Sequence, residues 1–243
     1  MTRFLNQTQL LPQEEIDRWA IGIIGTGAIG SFVAMALTKM GFKNMVTWDP
    51  DKIEDHNIAN QMFPVLDIGK RKANATKEMV EKFSGERIIS LATKITGRKA
   101  FAYLHQAYPS KQIILILAVD SLDVRKQIIE DIGVTYNLSV IDARMGAKTY
   151  RVLGFDGSNP EEHDNYLKTL VPDSAAVQER CGQKSIIYTV LGVAAEVCGF
   201  VHYMVMRHTL EDHTAPKIPN PVIFDYGTGM RLQQRHIGET VVI

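Results

Sequence analysis

Six residues, Gly25-Thr26-Gly27-Ala28-Ile29-Gly30, separate an apolar stretch at 19–24 from a run of small and apolar residues at 31–40. A strand that runs into G-x-G-x-x-G and leaves as a helix has few architectures open to it. The first two glycines permit a tight turn and close approach to a phosphate, and the third lets the helix pack on the strand. The first N–H groups of that helix then face an anion. The loop therefore points to a nucleotide, held by Gly25, Gly27, Ala28, Ile29 and Gly30, and Gly41 stops the helix.

The rest of the chain repeats the alternation. Strands are expected at 44–48, more weakly at 88–95, then at 112–119 and 137–142. Helices are expected at 70–83, 98–107 and 122–132. The run at 112–119 is continuously apolar up to Asp120, as in strands buried on both faces of a parallel sheet. Alternating strands and helices predict a doubly wound sheet, Rossmann-like and mainly parallel. After Met145 the pattern changes. Residues 148–155 read as an antiparallel strand, 156–162 as a polar turn, 171–183 as polar and aperiodic, 186–206 as a long apolar helix and 221–226 as a late strand. The chain is read as one domain over 1–243: a nucleotide-binding half at 15–146 and a substrate-side half at 147–243, with the antiparallel extension in the latter.

Composition excludes some roles. Lys+Arg and Asp+Glu both number 27, so the formal charge is zero and no basic stripe marks a nucleic-acid surface. Residues 186–206 are about long enough to span a bilayer. They contain Glu196 and His202, costly at membrane depth, so a buried helix and no membrane partner are expected. Two cysteines, and a polar stretch from Met1 to Glu14 without an apolar signal core, lead to the expectation of a cytoplasmic protein.

Asp49 closes the second strand, nineteen residues after Gly30, where a carboxylate takes ribose hydroxyls. To that point NAD and ATP fit equally. The next segment separates them. Asp49, Asp51, Glu54, Asn57 and Gln61, followed by Asp67, Gly69, Lys72 and Ala73, fall on D-x-D-x-x-E-x-x-N-x-x-R-Q and D-x-G-x-x-K-A. In this the chain resembles the ThiF/MoeB/HesA family, relatives of the ubiquitin-activating enzymes, over roughly 3–206. The resemblance implies an ATP- and Mg²⁺-dependent adenylyltransferase that activates the C-terminal carboxylate of a small ubiquitin-like carrier protein or peptide, acting as a homodimer.

The chemistry suits these residue types. Adenylation brings a carboxylate to the α-phosphate, and concentrated negative charge is the obstacle, so cations must sit on the phosphates. The resemblance makes Lys72 one such cation and Asp120 the ligand of Mg²⁺, both catalytic. Asp49 holds the ribose, and Asp51, Asn57, Asn60 and Gln61 lie around the nucleotide. Taken singly, Lys72 also reads as a solvated helix lysine and Asp120 as a helix cap. Two departures stand out. The family arginine before Gln61 is Asn60, and the second arginine of an N-terminal R-Y-x-R-Q, which reaches the partner subunit's ATP site, is Asn6 in Arg3-Phe4-Leu5-Asn6-Gln7. An amide does not replace a guanidinium electrostatically. Either Arg3, Lys70 or Arg71 compensates, or turnover is weak, or nucleotide is bound without turnover.

Cys181 stands between Arg180 and Lys184 before the apolar helix, where ThiF-like enzymes often place a cysteine that accepts the activated carrier. A thiol so placed can be activated, or be an unreactive loop residue. Cys198 lies inside the apolar helix and reads as core. Many family members carry paired C-x-x-C motifs for structural zinc. This chain has none, and His56, His105, His163 and His202 are scattered, so no structural zinc is expected. Arg144, just past the last parallel strand, reads equally as a contact for the carrier tail or as a structural ion pair. Two other functions remain open: a non-catalytic nucleotide-binding member of the same family, and an NAD-dependent oxidoreductase. The latter lacks any recognisable hydride-transfer constellation.

Overall fold

A computed structural model of the chain describes residues 3–172, 174, 185–209, 221–234 and 240–242. The elements, in order, are α1 (Gln13–Ile16), β1 (Trp19–Ile24), α2 (Ala28–Lys39), β2 (Met45–Trp48), α3 (Lys72–Ser84), β3 (Ile89–Leu91), α4 (Gly97–Ala107), β4 (Gln112–Leu117), α5 (Leu122–Ile132), β5 (Leu138–Met145), β6 (Thr149–Asp156), α6 (Pro160–Leu167), α7 (Ile187–Thr209), β7 (Val222–Asp225), β8 (Met230–Gln234) and β9 (Thr240–Val242). The strands form one sheet in the order β3-β2-β1-β4-β5-β6-β7-β8-β9. From β3 to β5 neighbours are parallel; from β5 to β9 they are antiparallel.

The strand period of two divides the core between the two faces of the sheet. In β4, Ile114 and Ile116 join Ile21 and Ile23 of β1 against α2 and α7. Ile113, Leu115 and Leu117 turn the other way, with Ala20, toward Trp48, Leu104, Ile128 and Tyr166. Every residue of β1 is buried, which explains why it reads as a continuous apolar run. The long helix α7 passes the length and composition test for a membrane span. Here Val193, Val197, Val201 and Val205 are buried, in the same core cluster as Ile141, Ala143 and Val152 of the sheet.

The doubly wound, mainly parallel sheet with its antiparallel extension is the architecture read from the sequence. The differences are local. The polar turn expected at 156–162 runs into helix α6. Asn159 caps that helix by accepting from Glu161 N and Glu162 N, with Pro160 in its first turn. Asn-Pro-Glu-Glu is a helix start by its chemistry, and only the polarity of the stretch made it read as a turn. The weak strand expected at 88–95 shortens to three residues at the sheet edge.

Candidate functional site

The parallel strands end on one edge of the sheet, and at β1 the chain turns through the glycine loop. Gly25 has φ +93°, and a Cβ there would lie 2.7 Å from Ala118 O. At Gly30 a Cβ would lie 1.9 Å from Gly25 O. The first position therefore needs a left-handed backbone and the last permits the helix to close on the turn. Gly25 N donates to Trp48 O, so the loop is tied to the end of β2.

Asp49 extends that tie. It is 4% exposed. Its Oδ2 accepts from Thr26 N at 2.7 Å and its Oδ1 from Asp51 N at 2.8 Å. One carboxylate thus fixes both the glycine loop and the turn after β2. Each oxygen keeps a further lone pair for a ligand hydroxyl. Asp51 in turn meets Lys72 Nζ at 3.2 Å. Lys72 begins α3 yet arrives beside β2, because the chain folds back through a Lys52–Arg71 bridge and through Lys72 N donating to Asp51 O. At 8% exposure Lys72 is a buried cation at this edge, not a solvated lysine.

The segment between folds over the start of α2. Asn57 makes a reciprocal cap with Glu54, accepting from Glu54 N at 2.9 Å. Ser31 Oγ accepts from Met62 N. Gln61 lies over the loop: its Nε2 stands 3.9 Å from the Cβ position of Gly27. Gln61 Oε1 and Thr26 Oγ1 are buried without a hydrogen-bond partner. Buried polar atoms are nearly always satisfied, so two orphans beside one glycine loop fit a site that a polar ligand completes. Asn60 turns elsewhere, and its Nδ2 donates to Ser185 Oγ at 2.6 Å.

Asp120 is exposed just beyond β4. The helix cap is its neighbour Ser121, which accepts from Val124 N. No group of three or more potential metal ligands occurs among the described residues. An exposed carboxylate at this edge nevertheless suits Mg²⁺, which takes one or two carboxylates together with substrate phosphates.

Arg3, Lys70 and Arg71, expected from the sequence to stand in for two family arginines, have other partners. Arg3 donates to Ser84 O and pairs with Glu86. Gln7 donates to Met40 O. The N-terminal segment therefore lies at the carboxyl ends of α2 and α3 of its own chain, about 18 Å along α2 from the glycine loop. Lys70 pairs with Asp67 and Glu78, whose hydrogen bonds raise its pKa. Arg71 donates to Pro50 O.

Beside the β4 end sits a cluster that the sequence reading only half anticipated. Asp142 of β5 is fully buried. It is paired with Arg125 of α5 and with Arg144 Nε at 2.6 Å, and it accepts from Tyr166 OH at 3.0 Å. Arg125 also donates to Leu117 O, Val119 O and Ala143 O, gripping the peptide that precedes Asp120. Arg144 donates to Thr169 O and Thr169 Oγ1 as well. This places Arg144 in a structural ion pair. The signal for Arg125 was present in the sequence: it occupies a core position in the 125, 128, 129, 132 stripe of α5.

Cys181 lies outside the described residues. Cys198 is buried, and burial pushes its thiol up to about 12.

Comparison with known proteins follows the same lines. The ThiF family model matches residues 2–237. The chain belongs to the ThiF family. It is 32% identical over 114 residues to the NEDD8-activating enzyme E1 catalytic subunit of Arabidopsis thaliana, covering 46% of this chain and 24% of that protein. It is 30% identical over 71 residues to ubiquitin-like modifier-activating enzyme 5 of Rattus norvegicus, covering 29% of this chain and 18% of that one. The chain thus aligns with about a quarter or less of these relatives' length. Among solved structures, PaaA superposes with TM-score 0.67 at 17% identity, over 99% of this chain and 69% of PaaA. Escherichia coli MccB with succinimide superposes at 0.66 and 18% identity, over 91% and 65%. At such identities these two likenesses show a shared fold.

Proposed function

We propose that this ThiF-family chain is an ATP-dependent adenylyltransferase acting on the C-terminal carboxylate of a small ubiquitin-like protein or a peptide. The observation that carries the reading is the convergence on one sheet edge of the glycine loop, buried Asp49, buried Lys72 and exposed Asp120. The family, the E1-type relatives, and the fold shared with an MccB also solved together with AMPCPP and MccA support it.

In this reading ATP lies along the edge. The glycine-loop N–H groups and the start of α2 take phosphate oxygens. Asp49, already oriented by Thr26 and Asp51, accepts from the ribose. Lys72 exchanges Asp51 for a phosphate oxygen and offsets the charge that builds up as the substrate carboxylate approaches. A carboxylate oxygen bonds to the α-phosphorus, the bond from that phosphorus to the bridging oxygen breaks, and pyrophosphate departs with the electron pair. Mg²⁺ held by Asp120 supplies further charge neutralisation. Later transfer to Cys181 is the subsequent step in the same scheme. The homodimer belongs to this proposal too: Tyr188, Leu191, Ala195 and Gly199 are exposed in one helical row on α7, a surface suited to a second copy.

The test is ATP–pyrophosphate exchange in the presence of candidate carriers or peptides. Exchange that depends on the acceptor carboxylate supports the reading. Binding of Mg-ATP without any exchange favours the second reading, a non-catalytic nucleotide-binding member. Asn60 motivates that alternative, since it spends its amide on Ser185 where the family places an arginine.

A further inference from the structure

Two guanidinium groups face one another at the carboxyl edge of the sheet. Arg144 and Arg151 stand directly opposite one another on the antiparallel strands β5 and β6, so their side chains share a face of the sheet. Like charges so placed repel. Asp142 and Thr169 occupy Arg144. Arg151 is half-buried, its Nε is buried without a hydrogen-bond partner, and none of its ion-pairing positions is filled by a described carboxylate. Burial, and then the charge of Arg144, lower its pKa. Among the described residues, Arg144 thus has Asp142 as its carboxylate, and Arg151 opposite it has none.

The position of this surplus charge matters. Arg125 joins the cluster to the Val119 carbonyl, one residue before Asp120. Arg151 lies on the second strand beyond β4, about 10 Å away at roughly 4.8 Å per strand. An extended peptide advances about 3.4 Å per residue. A tail whose terminal carboxylate reaches the phosphates beside Asp120 therefore passes Arg151 with its third or fourth residue from the end.

We propose that Arg151, beside Arg144, forms a subsite for an acidic side chain at the third or fourth position from the C-terminus of the substrate polypeptide. The inference rests on the adenylation reading for the substrate's direction of approach. The juxtaposition of Arg144 and Arg151 is independent of that reading.

The probe is a pair of fluorescein-labelled hexapeptides of Ser and Gly with free C-termini, one carrying Glu and the other Gln at those positions. Anisotropy is measured without nucleotide, so the result does not depend on turnover. The wild type is expected to bind the Glu peptide at least tenfold more tightly than the Gln peptide. Arg151→Met should remove that discrimination, and Arg151→Lys should keep part of it. The melting temperature of ligand-free Arg151→Met should match or exceed the wild type, because an uncompensated cation is removed. Equal affinities, or no binding of either peptide up to millimolar concentration, overturns the subsite. So does a fall of several degrees in the melting temperature, which would mean that the chain's own acid already neutralises Arg151. Loss of pyrophosphate exchange alongside intact Glu/Gln discrimination would instead remove the adenylation reading and leave the subsite standing.

Discussion

Asn60 donates from Nδ2 to Ser185 Oγ at 2.6 Å, across 125 residues of sequence. Asn60 therefore ties the loop over α2 to the entry of α7. Ser185→Ala removes one partly buried hydrogen bond, worth about 1 kcal/mol, and should lower the melting temperature by roughly 2–4 °C in a chain of this size. Asn60→Arg loses the same bond but, on the proposed function, places a cation beside the phosphates, so it should raise pyrophosphate exchange at least threefold despite lower stability. A rate at or below that of Ser185→Ala would show that charge at position 60 does not limit turnover.

Asp49 holds two backbone N–H groups and, on the proposed function, the ribose, and its variants should show both. Asp49→Ala deprives Thr26 N and Asp51 N of their acceptor. Two charge-assisted bonds at about 1.5–3 kcal/mol each, partly recovered by water, predict a fall of about 5–10 °C in the nucleotide-free melting temperature. The added stabilisation by Mg-ATP should vanish as well. NAD should stabilise the wild type less than Mg-ATP. A variant that melts normally and still responds to ATP would remove Asp49 from the site and from the loop.

The fold was legible because its determinants are local. Continuous apolar runs, a glycine loop and Asp49 each carry their own signature, and a parallel sheet follows from their alternation. Helix α6 was obscured because its sequence is polar and only its start, Asn159 to Glu162, marks it. At the site, sequence spacing identified candidates without showing their partners. Nothing in a linear motif says that Asn60 faces Ser185, or that Lys70 is committed to Asp67 and Glu78. Arg144 and Arg151 are separated by a hairpin turn, and only the strand register makes them neighbours.

Lys72 and Asp120 should separate chemistry from folding. Lys72 pairs with Asp51, which is 64% exposed, so the pair contributes about 0–1 kcal/mol. Asp120 is exposed and does not cap α5. Lys72→Ala and Asp120→Ala should each keep the wild-type unfolding free energy within about 1 kcal/mol and lower pyrophosphate exchange at least a hundredfold. Near-normal exchange in both, with a wild type that exchanges, would show that the reacting phosphates lie elsewhere.

On α7 the exposed row offers a direct test of assembly. Leu191 is 49% exposed and Tyr188 is 38% exposed, while the opposite face of the helix is buried in the core. A charge at Leu191 leaves that core untouched and costs heavily in an apolar interface. Light scattering at micromolar concentration should give two chains for the wild type and one for Leu191→Glu, with unchanged far-ultraviolet circular dichroism. A wild-type mass of one chain would refute the dimer.

The two thiols should differ in kind. Cys198 is buried, with its pKa pushed up to about 12. Alkylation requires the thiolate. Because the pKa is raised, the reactive form is scarce below it: at pH 8 about one molecule in ten thousand carries the Cys198 thiolate, and the fraction grows tenfold per pH unit. Native Cys181→Ser should therefore take up no iodoacetamide at pH 8 over an hour and one equivalent in urea. Cys198→Ser should keep carrier-dependent exchange, while Cys181→Ser should keep exchange but lose any thiol-sensitive carrier adduct, since the carboxylate must react with ATP before a thiolate can displace AMP. Intact-mass spectrometry after incubation with carrier and Mg-ATP reads the adduct directly. An adduct of equal yield on both variants would exclude Cys181 as acceptor, and the burial of Cys198 would then direct the search to a hydroxyl or amine.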